Sequence, residues 1–341
     1  MISSLWIMLR TMAIALLGVA VFMLIGFPLP WLLGPMFSCL AFALPGVDLQ
    51  GPARLTVLMR TVLGVAVGAS ITPAVVARLP EMAVSIALIV PFVLLIGGIG
   101  YPYFRRLWGF DPATSYYSAM PGGLQDMMLF GEEAGGSPRV LSLVHATRVL
   151  VIVSLLPLFL TLVMDLDLNR PPGRPARDVP VEQMIYMVVI AIAGWRIAAA
   201  VGMFGAAILG PLILAAIASL TGVIDQRPPA EAILAAQFFI GLTVGVRYVG
   251  LTVAELRRIV VAALGFSAIL AALSILFMEI VIQLELAPPL DAILAFAPGG
   301  QAELTVVALV AGADVAYVVT HHLARLIVVI IGGPLVGRWL R

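Results

Sequence analysis

"PGGLQDMMLFGEEAGGSPRVLSLVHATRVLVIVSLLPL" (Pro121–Leu158) and "PGGQAELTVVALVAGADVAYVVTHHLARLIVVIIGGPL" (Pro298–Leu335) superpose without a gap at an offset of 177 residues. The same offset carries Asp126 to Glu303, Gly135 to Gly312, His145 to His322, Arg148 to Arg325 and Pro157 to Pro334. Upstream, "LGVAVG" (63–68) answers to "IGLTVG" (240–245) at 177 and "WLLGPM" (31–36) to "AILGPL" (207–212) at 176, placing Arg60 opposite Gln237. Self-similarity at one period over this length predicts two copies of a unit of about 165 residues.

Both copies are steeped in apolar sequence. With 62% hydrophobic and 11% charged residues and a mean hydropathy of +1.14, the chain cannot clothe itself in a polar surface, which predicts an integral membrane protein. A span takes roughly 20 apolar residues to cross a hydrocarbon core about 30 Å thick, so the chain holds on the order of ten to twelve crossings and no sizeable soluble domain. Every basic residue is arginine, the net charge is +1 and no basic tail appears, which argues against a nucleic-acid partner. Cys39 is the single cysteine, inside an apolar segment, and has no disulfide partner in the chain. The first segment has Arg10 within its apolar run and no convincing cleavage site, and reads as a retained helix, not a signal peptide.

The domain reading is a first membrane repeat at 1–163, a polar, Pro-rich linker at 164–183 and a second repeat at 184–341. The linker "MDLDLNRPPGRPARDVPVEQ" reads as a loop outside the bilayer and a connector. Segments fall at about 5–26, 31–45, 55–77, 82–104, 111–135 and 139–162, then at about 184–203, 205–222, 231–252, 256–283, 289–311 and 314–337. The fold class is thus an all-α polytopic membrane protein. Each copy has five crossing helices and one Pro-Gly-Gly-interrupted segment that re-enters or crosses. Re-entry gives inverted repeats, favoured by analogy with transporters whose broken helices meet at the midplane. A crossing gives 12 crossings and parallel copies, and arginine counts in the loops do not separate the two. Gly64 with Gly68, and Gly241 with Gly245, form GxxxG pairs that let backbones approach closely.

Pro-Gly-Gly inside a membrane segment breaks the helix, because proline removes a donor and glycine takes conformations other residues resist. The freed backbone groups are tolerated only against protein or a watery cavity. Each break (Pro121, Gly122, Gly123; Pro298, Gly299, Gly300) also starts a new helix, whose N–H groups and dipole hold an anion or steady a carboxylate. Asp126 and Glu303 follow the last glycine by three residues. They read either as caps or as binding sites for a proton, cation or substrate. His145 with Arg148, and His322 with Arg325, each share a helix face at a spacing of three. An arginine there costs roughly 2.5–3.5 kcal/mol and calls for a partner. The preceding acid is the candidate, giving expected clusters Asp126–Arg148–His145 and Glu303–Arg325–His322, either functional or structural ion pairs. Arg60 and Gln237 are weaker pore-lining candidates. His321 reads as incidental, Glu132 and Glu133 as a solvated edge, and Arg196 and Arg247 lack charged counterparts in the other copy.

"PGGLQDM" (121–127), "HATR" (145–148) and Pro157, with "PGGQAEL" (298–304), "HLAR" (322–325) and Pro334, resemble the AbrB family of bacterial membrane proteins. That family shares its name with a DNA-binding regulator but is distinct from it. The resemblance covers nearly the whole chain and implies a duplicated, multi-pass protein of the bacterial inner (cytoplasmic) membrane. Family members more often have Glu-Met after Pro-Gly-Gly, whereas this chain has Asp126-Met127 and Glu303-Leu304, so the reach of the acid differs between copies. The breaks also resemble, more locally, the core of bile-acid:sodium symporter-type carriers. Together these imply a secondary transporter of a small carboxylate-like anion, proton-coupled through the two acids, with its site at mid-membrane between the two broken helices. A membrane scaffold that alters gene expression indirectly is the alternative from another class. Some relatives are labelled ammonia monooxygenases, but a copper site would have to use His145, His321 and His322, which lack a ligand spacing. No P-loop, cofactor or metal motif is present, and the partners expected are lipid, the solute and protons, with homo-oligomerisation open.

Overall fold

The computed structural model describes residues 2–169, 171–203, 205–250 and 253–337. In chain order its helices are α1 (Ile2–Leu24), α2 (Pro30–Ala43), α3 (Ala53–Gly68), α4 (Pro73–Ala77), α5 (Leu79–Ala87), α6 (Ile89–Pro102), α7 (Pro112–Ala119), α8 (Leu124–Glu133) and α9 (Pro138–Leu162). There follow α10 (Val181–Ala200), α11 (Ala206–Leu220), α12 (Ala230–Gly245), α13 (Val253–Gln283), α14 (Pro289–Phe296), α15 (Gln301–Ala311) and α16 (Val315–Gly337). Among the described residues seven stretches are long and apolar enough to cross a membrane. The chain is therefore a helical, multi-pass membrane protein. The helices α2 and α3, 14 and 16 residues long, reach only about 21 and 24 Å at a rise of 1.5 Å per residue.

The segment expected at 82–104 divides at Leu88 into α5 and α6, and two further boundaries differ from the sequence expectation. The segment expected at 55–77 is two helices, because Thr72 caps a new start, its side chain accepting from the Val75 N–H, and Pro73 takes the first helical position. The other boundary is the end of the stretch expected as the linker, 164–183. Helix α10 already begins at Val181. Val179 packs into the apolar core formed by Val65, Met187, Ile190 and Ala215. The Ala230 N–H donates to the Arg174 carbonyl at 2.9 Å, and the Ala176 N–H donates to Glu231 Oε2 at 2.9 Å.

The chain folds into two compact units that do not follow the sequence halves. The first is Met1–Leu79, Leu156–Gly250 and Ala302–Ala316; the second is Pro80–Leu155, Leu251–Gln301 and Tyr317–Arg341. In the first unit the glycines set the packing. A Cβ on Gly64 or Gly68 of α3 would collide with the Ile208 or Leu212 carbonyl of α11, and one on Gly241 or Gly245 of α12 with the Leu32 or Met36 carbonyl of α2. Likewise Gly18 meets Gly34 between α1 and α2, and Gly194 meets Gly210 between α10 and α11. Without a hydrophobic force between helices in lipid, such backbone contact is what holds them. The second unit has an aromatic core instead. The rings of Phe92, Phe277 and Phe296 lie 5.1, 5.4 and 5.9 Å apart pairwise, and the Tyr103 hydroxyl donates to the Ala262 carbonyl at 2.9 Å.

Candidate functional site

The two Pro-Gly-Gly joints fall between α7 and α8 and between α14 and α15. At the first, α7 ends as Met120 turns to an extended conformation, its N–H closing the last helical bond to the Tyr116 carbonyl. The next carbonyl, that of Tyr117, would in a continuing helix accept from the residue four further on. That residue is Pro121, which has no N–H.

His145 fills the gap. Its Nε2 lies 3.0 Å from the Tyr117 oxygen, and since a carbonyl only accepts, the proton is on Nε2. One turn further along α9, Arg148 donates from Nη1 to the Met120 carbonyl at 3.2 Å and from Nη2 to the Gly122 carbonyl at 2.9 Å. Both side chains are buried, His145 fully and Arg148 at 3% exposure. The guanidinium stands where the dipole of α7 ends negative and where carbonyls have lost their helical donors, so the backbone solvates a charge that lipid would not.

The second joint repeats this bond for bond. The carbonyl four residues before Pro298 is that of Leu294, and His322 Nε2 donates to it at 2.9 Å. Arg325 donates to the Ala297 carbonyl at 2.8 Å and to the Gly299 carbonyl at 3.3 Å. All three acceptors lie 177 residues beyond their counterparts. Among the described residues neither histidine's buried Nδ1 has a hydrogen-bond partner.

Among the described contacts both arginines meet backbone carbonyls, and the expected pairing of Asp126 with Arg148 lies outside the described residues. Asp126 lies in the first turn of α8, but its side chain is outside the described residues. Glu303 lies in the first turn of α15, partly buried, within the first compact unit. The structure brings Glu303 into electrostatic range of Arg247, which lies just past α12 and also senses Arg60 of α3. Gln237 is 1% exposed, its Nε2 has no hydrogen-bond partner among the described residues, and it lines a cavity of about 320 Å³ together with Phe27, Trp31, Leu168 and Pro172. Glu132, Glu133 and Arg196 are exposed. His321 is not an idle side chain: it bridges the Tyr317 carbonyl at 2.8 Å and the Ser85 hydroxyl at 3.0 Å, tying α16 to α5.

Sequence reasoning missed the carbonyl partners and Arg247. The signal for the first was present, because a proline in a helical register always strands the carbonyl four residues before it. Arg247 answers to Ser70 at the 177 offset and so falls outside any search for matched charges.

Residues 31–341 match the family described as "Transition state regulatory protein AbrB". Among curated proteins the chain is similar to the uncharacterized protein YhjN of Bacillus subtilis (strain 168), at 27% identity over 93% of this chain and 89% of that protein. It is also similar to a protein of Escherichia coli (strain K12) provisionally named regulator AbrB, at 21% identity over 94% of this chain and 92% of that one. No solved structure matches. The family carries a regulator's name, yet the chain that matches it is built of apolar helices, and by extent of match it belongs to the AbrB family.

Proposed function

We propose that the chain is a secondary transporter of a small, carboxylate-like anion in the bacterial inner membrane, proton-coupled through Asp126 and Glu303. In this reading it consists of two copies of one module in inverted orientation, with the two Pro-Gly-Gly joints as the working parts. The observation that carries it is the identical bonding of the two joints, in which a histidine and an arginine hold open a break that a helix without proline would close. A purely structural chain gains nothing from two breaks that each require two buried polar side chains. A transporter does, since each break yields a helix N-terminus inside the membrane region with an acid in its first turn, suited to anions and ions. The repetition of element bounds at 177 supports the duplication, as with Ala53–Gly68 and Ala230–Gly245, or Pro112–Ala119 and Pro289–Phe296.

The test is charge movement from proteoliposomes on a solid-supported membrane, challenged with acetate, lactate, benzoate, succinate and pH jumps. Solute-dependent current is expected from the native protein and its loss from Asp126→Asn/Glu303→Gln. Silence across the panel, with radiolabel uptake equally silent, overturns the proposal in favour of a membrane scaffold.

A further inference from the structure

The linker does more than join two stretches of helices: it closes one side of the cavity that Gln237 lines, within the first compact unit. The space of about 320 Å³ lies between the turn from α1 to α2, the first half of α12 and the linker residues Leu168, Asn169, Pro171 and Pro172. Its lining grades from exposed residues at the rim, Gly26, Asn169 and Pro171, to buried ones at the floor, Leu29, Leu168 and Gln237. The walls are held in place by packing of their own. Phe27 meets Phe22 edge-on with ring centroids 4.8 Å apart, and Trp31 meets Phe238 in the same way at 6.5 Å. Between Phe27 and Trp31 in the chain, Leu29 sits in the left-handed region at φ 51° and ψ 54°, with a proline on each side. A branched residue takes that conformation only where its surroundings enforce it, and such positions gather at ligand sites. The linker is fixed in turn by the Ala230 N–H, which donates to the Arg174 carbonyl at 2.9 Å.

We propose that this cavity binds a small, uncharged ring compound bearing an amide or hydroxyl group, with Gln237 as its hydrogen-bonding partner. The inference stands apart from the transporter reading and does not need it. A buried amide whose Nε2 has no partner among the described residues is costly in a folded chain, and here it borders open space. The last torsion of a glutamine side chain is broad and two-fold, so either end of the amide can turn to the cavity. An amide or hydroxyl on the ligand both donates and accepts, as the glutamine does. Apart from Asn169 and Gln237 the lining side chains are apolar, and none of those described is titratable; Arg170 lies outside the described residues. An ion would give up its water there without a counter-charge, whereas a flat apolar body meets Phe27 and Trp31. Water would find two side-chain amides and otherwise apolar walls, too few partners to order a volume many times that of one molecule. At the 177 offset Gln237 answers to Arg60, at 176 Trp31 answers to Ala207, and the linker occurs once, so the matched positions do not supply a second such lining.

The experiment measures stabilisation of the detergent-purified full chain against heat as benzamide, phenol, toluene, benzoate and dodecane are titrated at neutral pH. Benzamide or phenol is expected to stabilise saturably, with benzoate at least tenfold weaker. Gln237→Leu keeps the bulk and removes the amide. It should raise the half-saturating concentration of benzamide tenfold or more, and leave that of toluene, which offers no hydrogen bond, unchanged or lower. Without ligand the same variant should unfold at the native temperature or above, because a buried donor without a partner is gone. Leu168→Trp, which fills the space, should abolish stabilisation by every compound while far-UV circular dichroism stays helical. No saturable stabilisation by benzamide or phenol, or the same half-saturation for both in native and Gln237→Leu protein, overturns the inference. So does a loss of ligand-free stability in Gln237→Leu, the sign of a glutamine bonded to water within the fold. Stabilisation by toluene and dodecane alone, the sign of a lipid chain as occupant, overturns it too, as does benzoate binding as tightly as benzamide. The transporter reading is judged separately, by current and uptake, and survives any of these results.

Discussion

If His145 is present because Pro121 strands the Tyr117 carbonyl, its value must depend on that proline. His145→Leu keeps the volume and removes the donor that the buried Tyr117 carbonyl accepts from. The expected cost is about 1–3 kcal/mol, the range for a buried group that loses its hydrogen-bond donor. In a Pro121→Ala background residue 121 regains an N–H four residues after Tyr117, so the helix can satisfy the carbonyl itself. His145→Leu should then cost less than about 1 kcal/mol, a coupling of about 1–2 kcal/mol of the kind seen between residues that share a partner. The assay is a double-mutant cycle on denaturant or thermal unfolding in detergent, followed by far-UV circular dichroism for native, both singles and the double. Equal costs of His145→Leu in the two backgrounds would refute the reasoning. The same cycle at His322 and Pro298 should give a coupling of the same sign, because His322 donates to the Leu294 carbonyl in the same way. Pro121→Ala, by closing the break, should also depress transport even where it leaves stability intact.

Arg148→Lys keeps the charge but a single ammonium cannot reproduce the fork to Met120 and Gly122, so partial loss of stability is expected, less than for Arg148→Leu, which strands both carbonyls. Gly241→Leu drives a side chain into the Leu32 carbonyl and should prevent accumulation of folded protein, whereas substitution at Gly98, where a Cβ meets nothing within 4 Å, should be tolerated; expression and size-exclusion profiles distinguish them. Ser85→Ala removes the hydroxyl that meets His321 and should cost about 1 kcal/mol by the same unfolding assay.

Much of this protein is written plainly in its sequence. The apolar runs are long enough that the membrane class follows from hydropathy alone, and the quoted motifs point to the AbrB family, whose match covers residues 31–341. The helix breaks after Ala119 and Phe296 are set by local chemistry, the loss of a donor at proline followed by glycines, and so could be placed to within a residue or two. The break at 69–72 was equally local, yet a hydrophobicity pattern passes straight over Thr72-Pro73 and joins α3 to α4. Side-chain partners are another matter. A spacing of three says that His145 and Arg148 share a face, but it does not say whether a carboxylate or a row of carbonyls lies opposite. Arg247 shows the complementary blind spot: a repeat draws attention to what is matched, while the arginine near Glu303 is unmatched and becomes visible only when α3, α12 and α15 are folded into one unit.

The most direct test of the central claim is counterflow. Proteoliposomes preloaded with an unlabelled carboxylate from the panel are diluted into a trace of the same compound carrying radiolabel, which detects electroneutral as well as electrogenic carriers. The account predicts that label accumulates transiently above its equilibrium level for at least one carboxylate and does so only when the protein is present. Label that merely equilibrates at the rate of protein-free vesicles, for every carboxylate tried, would contradict it.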